Sequence, residues 1–256
     1  MQLKFYKYQG TGNDFVMIDD RENRHHLSAQ QIQQLCNRRF GIGADGVILI
    51  RNHEKMDFEM VYYNSDGSQS FCGNGSRCAL AFAEFLGIYE HQANFVAIDG
   101  EHTGKSENQL YYTKMGDVSD VEIGKDYMFI NTGSPHYIIW KEDLSALNII
   151  NEAHSIRYNE RFKAKGTNVN FVKELPEGVQ VRTYERGVED ETLSCGTGVT
   201  AVTLAQAVKH NWKDSVLKIK VEGGELNVSF EREGNFFKNI WLIGPAEFVF
   251  EGTINL

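Results

Sequence analysis

One short passage occurs twice in this chain. Phe71-Cys72-Gly73-Asn74-Gly75 and Ser194-Cys195-Gly196-Thr197-Gly198 lie 123 positions apart, and each runs into an alanine-rich stretch patterned as a helix. A second pair of turns, Gly12-Asn13-Asp14 and Gly133-Ser134-Pro135, repeats at an offset of 121. A tetrapeptide C-G-x-G alone would mark only a tight turn. Two matched features at nearly one offset constrain the fold to a duplicated unit, mostly strands around one central helix.

Each half reads in the same order: strands, the glycine turn, more strands, the cysteine, a helix over 76–86 or 199–209, and further strands. A first helix is expected over 29–39, capped by Ser28 and stopped at Gly41. The domains are expected at 1–115 and 116–246, with a last strand near 247–256 returning to the first. At 256 residues the chain is long enough for two such cores.

The formal charge is −9, and Lys and Arg form no basic cluster, so a nucleic-acid partner is not expected. No apolar run approaches the roughly 18 residues of a membrane span, and the N-terminus has no signal-like core, so no membrane association and a cytoplasmic location are expected. Four cysteines are too few for a disulfide scaffold. Cys36 and Cys78 lie in apolar helical patterns and read as buried packing residues. Cys72 and Cys195 remain as chemical candidates.

A thiol at a helix mouth meets unpaired N–H groups and the positive end of the helix dipole, which favour thiolate. The two helices are apolar almost all round and are expected to be buried. Their N-termini would bind a carboxylate through the N–H groups of Gly73, Asn74, Gly196 and Thr197. Two thiols beside such a carboxylate can act on the α-proton of an amino acid, one accepting it and the other delivering one to the opposite face. That chemistry needs no cofactor, and no P-loop, dinucleotide fingerprint or C-x-x-C zinc clip is present. Neither a cofactor nor a metal is therefore expected.

Taken together, Gly10-Thr11-Gly12-Asn13-Asp14-Phe15, Asn64-Ser65-Asp66-Gly67-Ser68, Cys72-Gly73-Asn74-Gly75-Ser76-Arg77-Cys78, Gly133-Ser134-Pro135-His136, Tyr184-Glu185-Arg186-Gly187 and Glu191-Thr192-Leu193-Ser194-Cys195-Gly196-Thr197-Gly198 resemble the diaminopimelate epimerases along nearly the whole chain. The resemblance implies an α+β fold of two pseudo-symmetric domains, each a β-barrel-like sheet wrapped around a central helix. It implies cofactor-independent interconversion of LL- and meso-2,6-diaminoheptanedioate, in lysine and peptidoglycan precursor synthesis, by a homodimer. It places the catalytic thiols at Cys72 and Cys195, substrate contacts at Asn13, Asn64, Gly73, Asn74, Asn168, Glu185, Arg186, Gly196 and Thr197, and tuning of the thiols at His136 and Glu185.

Read without the resemblance, Asn13 and Asn64 suit turns for backbone reasons, His136 suits a satisfied core histidine, and Glu185 with Arg186 suits a solvated pair. Three positions depart from the family pattern. Ser134 replaces a common Asn, Gly46 stands where some members carry a Gln that touches substrate, and the 188–191 loop is one residue longer and lacks a second glycine. The rivals are a proline or hydroxyproline racemase of the same fold, and a thiol redox sensor or binding module. Arg186, Asn64 and Asn168 favour the larger dicarboxylic substrate.

Overall fold

The computed structural model describes residues 2–256. The chain divides into two compact units, one built from the chain through Thr113 together with Gly244–Leu256, the other from Lys114–Ile243.

The first unit contains β1 (Gln2–Gly10), β2 (Asn13–Asp19), α1 (Ala29–Cys36), β3 (Gly46–Arg51), β4 (Phe58–Asn64), α2 (Gly73–Phe85), β5 (Gln92–Ala97), β6 (Gly100–Glu107) and β7 (Leu110–Lys114). The chain continues through β8 (Val121–Ile123), β9 (Met128–Asn131), β10 (Pro135–Trp140), α3 (Ile149–Arg157), β11 (Asn168–Leu175), β12 (Gly178–Glu185), β13 (Asp190–Thr192), α4 (Gly196–His210), β14 (Asp214–Val221), β15 (Gly224–Glu233) and β16 (Phe236–Gly244). Last comes β17 (Glu247–Asn255), which belongs to the first unit.

The duplication is visible in strand pairing. β1/β2 are antiparallel, β2/β3 parallel, β3/β4 antiparallel, β4/β5 parallel, and β5/β6 and β6/β7 antiparallel. The series β9/β10, β10/β11, β11/β12, β12/β14, β14/β15 and β15/β16 repeats those senses in order. The closing strands also correspond: β17 pairs with β1, and β8 with β9.

Each sheet curves around its own helix. α2 packs on β1, β2, β3, β4 and β6, and Gly73 through Ala83 are all buried. α4 packs on β9, β10, β11, β14 and β15, with Gly198 through Ala207 buried. Small residues make this possible: a Cβ at Gly104 would come within 2.4 Å of Leu80, so β6 can approach the helix only where the side chain is absent. The α+β architecture of two repeated sheets on central helices is the one the sequence implied.

Some elements differ from the sequence reading. α1 ends at Cys36, before Arg39, because the Asn37 carbonyl oxygen Oδ1 accepts from the N–H groups of Arg39 and Phe40 and turns the chain. α2 and α4 start three residues earlier than expected, immediately after the two cysteines. α3 was not anticipated; only Ile149 and Ala153 of it are buried, too narrow a stripe to read from periodicity. No helix among the described residues is long and apolar enough to cross a membrane.

Candidate functional site

Both cysteines occupy the N-cap position of a buried helix in extended backbone, with φ −133° at Cys72 and −129° at Cys195. Their carbonyls accept the first helical hydrogen bonds, from Ser76 N and Val199 N. Strand register brings the other expected residues to the same rung. In the first unit Phe15 pairs with Gly46 and Gly46 with Asn64, and in the second His136 pairs with Asn168. Glu185 closes β12, and the loop after it leads to Cys195.

At the first mouth the Cys72 sulfur accepts from Gly75 N at 3.4 Å and lies 3.5 Å from Asn13 Oδ1. Asn13 is held by two neighbours: its Nδ2 donates to Asp45 Oδ2 at 2.6 Å, and its Oδ1 accepts from Asn74 Nδ2 at 3.4 Å. Beneath it lies a charged cluster in which Arg38 bridges Asp14 and Asp45, and Lys7 pairs with Asp14. Burial alone would raise the Asp14 carboxyl, but the hydrogen bonds of Arg38 and Lys7 hold it at about 2.

Below the first turn of α2, Arg77 is fully buried and faces neutral acceptors: Asn74 Oδ1 at 3.0 Å, Thr11 Oγ1 at 3.2 Å, and the carbonyls of Gly73 and Pro245 at 3.4 Å. Burial pushes this guanidinium down to about 10, a shift opposed by the nearby thiols of Cys78 and Cys72. It remains a cation at neutral pH. Charge buried under a thiol-bearing helix mouth adds to the positive end of the dipole.

At the second mouth the Cys195 sulfur lies 3.6 Å from Thr197 Oγ1, which lies 2.9 Å from His136 Nε2. His136 is wholly buried; burial, then the Arg186 charge, push its imidazole down to about 3, so it is neutral. Thr132 Oγ1 donates to Thr197 O at 2.8 Å and fixes the helix start.

Asn168 ties two loops together, with Oδ1 accepting from Arg186 N at 2.8 Å and Nδ2 donating to Pro135 O at 3.0 Å. Arg186 is exposed; its Nη1 donates to Lys165 O, and its chain lies over Gly166, where a Cβ would come within 2.6 Å. Glu185 Oε2 accepts from Thr192 Oγ1 at 2.9 Å. Asn64 Nδ2 donates to Ser68 and Ser70, pinning the loop before Cys72.

Two of the three departures have local explanations. A Cβ at Gly46 would fall 2.4 Å from the Tyr62 ring and 2.5 Å from Tyr63 O, so this sheet admits no side chain there. In the longer loop Glu189 itself takes the left-handed conformation, φ 59°. Burial would raise its carboxyl, but bonds from Arg157, Gly187 N, Tyr184 and Tyr158 hold it at about 2 and anchor the turn.

The other two thiols are buried. Burial pushes Cys36 up to about 11 and Cys78 up to about 12, which leaves both protonated. No group of three or more His, Cys, Asp and Glu among the described residues could hold a metal ion. Sequence reasoning gave no role to Asp45, Arg77, Asn170 or Thr183. Arg77 lies inside the Cys72–Cys78 motif, whereas nothing local marks Asn170, which reaches His136 through strand pairing.

The family profile described as diaminopimelate epimerase matches residues 5–121 and 128–249. This chain belongs to the diaminopimelate epimerase family. A diaminopimelate epimerase of Flavobacterium psychrophilum is 51% identical over 98% of this chain and 100% of its own length. One of Chlorobaculum tepidum is 40% identical over 96% and 99%. Among solved structures, a phenazine biosynthesis protein of the PhzF family from Bacillus anthracis superposes with a TM-score of 0.76 at 12% identity, covering 100% of both chains. A probable proline racemase from Agrobacterium radiobacter K84 gives 0.69 at 14%, covering 99% and 93%. These two likenesses concern the fold, which the family shares with proteins of other names.

Proposed function

We propose that the chain interconverts LL- and meso-2,6-diaminoheptanedioate, with Cys72 and Cys195 as the paired acid and base. The observation that carries this reading is the cysteine at the N-cap of the buried helix in each of two repeated units, in a chain half-identical to a protein named for that reaction. The epimerase activity itself follows the family. The residue roles are our assignment.

In this mechanism one sulfur, as thiolate, takes the α-proton and becomes a thiol. The other, as thiol, gives its proton to the opposite face and becomes a thiolate, so the carbon is inverted and no proton is gained or lost overall. Charge that spreads onto the substrate carboxylate is met by the first-turn N–H groups at Gly73, Asn74, Gly196 and Thr197, whose orientation is already set by the helices. Asn13 and Asn64 supply both donors and acceptors to an ammonium carboxylate, and Arg186 is assigned to the distal carboxylate by two parallel bonds. Asn168 and Glu185 complete the contacts, Asn168 also setting the backbone at Arg186. His136 and Glu185 tune the sulfur of Cys195.

The substrate is a small dicarboxylic diamine, and a homodimer in the cytoplasm completes the proposal on the strength of the family resemblance. Reduced, purified chain in D₂O without added cofactor should introduce deuterium at the α-carbon of LL-diaminopimelate. Cys72→Ala and Cys195→Ala should each lower epimerisation by about 10²-fold or more. No wash-in by the wild-type chain would sink the reading.

A further inference from the structure

Five side chains of the second unit form a single file ending on a sulfur. Thr183 Oγ1 lies 3.0 Å from Asn170 Oδ1, Asn170 Nδ2 3.1 Å from His136 Nδ1, His136 Nε2 2.9 Å from Thr197 Oγ1, and Thr197 Oγ1 3.6 Å from Cys195 Sγ. Asn170 and His136 are wholly inaccessible and Thr183 nearly so, so the first two links are shielded from solvent, and the two through Thr197 are partly buried.

The direction of the file is fixed at one link. Asn170 Nδ2 also faces Tyr137 O at 3.4 Å, and a carbonyl can only accept, so the NH₂ end of the amide must lie on that side. The amide then donates to Nδ1 of His136. A neutral imidazole whose Nδ1 accepts carries its proton on Nε2. That N–H donates to the Thr197 oxygen and leaves the threonine hydrogen for the Cys195 sulfur. The opposite amide orientation would set carbonyl against carbonyl and is the one arrangement in which Asn170 would favour an imidazolium.

The helix makes room for this file. A Cβ at Gly198 would fall 2.7 Å from Asn170 Oδ1 and 3.3 Å from both Cys195 Sγ and His136 Cε1. The first mouth has no equivalent, because Phe15 stands at the turn position matching His136 and Asn74 at the one matching Thr197. Arg186 is the charge that bears on the ring.

We propose that Asn170 is a positioning residue: by holding the His136 proton on Nε2 it aims the Thr197 hydroxyl at Cys195 and biases that sulfur toward thiolate. The proposal rests on the reading of Cys195 as a proton-transfer residue, but its test does not depend on turnover. Long-range ¹H–¹⁵N correlation spectra of labelled protein near neutral pH, with the His136 signal assigned from His136→Gln, should show Nε2 protonated and Nδ1 bare.

In Asn170→Asp, a carboxylate facing Nδ1 demands a proton there. The ring should change tautomer or become charged, and iodoacetamide should alkylate Cys195 about tenfold more slowly while Cys72 in the same sample reacts as before. Asn170→Leu, which removes the donor without reversing it, should slow Cys195 less. A wild-type ring carrying its proton on Nδ1, or Cys195 reacting at the wild-type rate in both variants, would overturn the proposal. Because the wild-type spectrum is decisive by itself, poor folding of a variant does not shelter it. Absence of α-proton exchange by the wild-type chain would count against the epimerase reading alone.

Discussion

Asn13 donates to Asp45 Oδ2 at 2.6 Å, and this bond turns the Asn13 carbonyl toward the Cys72 sulfur 3.5 Å away. An asparagine amide unsupported on its NH₂ side could flip and present a donor to the thiol instead. The carboxylate therefore selects which face of Asn13 the first mouth displays. In Asp45→Ala, kcat/KM for diaminopimelate should fall roughly ten- to a hundredfold with little change in melting temperature, since Asp45 lies at the surface of its cluster. Wild-type kinetics in that variant would show that the amide needs no such support.

Arg186 has an exposed guanidinium that donates to the backbone oxygen of Lys165, a contact that a substrate carboxylate can outbid by charge. Arg186→Ala should lower kcat/KM about a hundredfold, mostly through KM, because a distal grip acts on ground and transition states alike. Unchanged kinetics would remove the case for a dicarboxylic substrate over a cyclic imino acid.

His136 makes stability depend on pH in a defined direction. Its pKa drops from 6.5 to about 3 on folding, chiefly by burial and then by the Arg186 charge. Between those values the unfolded chain binds the proton and the folded chain does not, so stability rises with pH across that window. The contribution is complete above pH 6.5 and is lost as pH falls toward 3. Melting curves of His136→Gln should therefore lose less on acidification than those of the wild type; parallel curves would mean the imidazole is not held neutral.

Arg77 tests how far buried charge is structural. Replacing it by Met removes the guanidinium's hydrogen bonds to Asn74 Oδ1 and Pro245 O, while Gly73 O keeps that of Ser76 Oγ, at a cost of about 1–3 kcal/mol. Lysine restores the charge but not the planar fork, so Arg77→Lys should recover little of the melting temperature. If Arg77→Met melts with the wild type, the guanidinium is not holding the helix start.

Much of this was legible because it is carried by short local patterns. Cysteine before Gly-x-Gly announces a helix mouth, and its repetition announces the duplication; both helices begin directly at those cysteines. α3 escaped because two buried residues in nine give no period. Asn170 escaped for a different reason. It sits inside β11, where an asparagine is merely a poor strand former, and its partner is placed beside it by parallel pairing with β10 across about thirty residues of chain. Gly46 was read as a lost contact, and the Tyr62 ring adds a packing reason for glycine there.

β17 lies antiparallel on β1, although the whole second unit separates them along the chain. During synthesis on the ribosome the amino-terminal sheet must therefore wait, with the Phe5 edge uncovered, until residues 247–255 emerge. That register joins positions as distant as Gln2 and Asn255, a separation that slows search and lengthens exposure to aggregation. A gene cut between Thr113 and Lys114 would strip β17 from the first sheet, so completion of that sheet is tied to synthesis of the whole second unit.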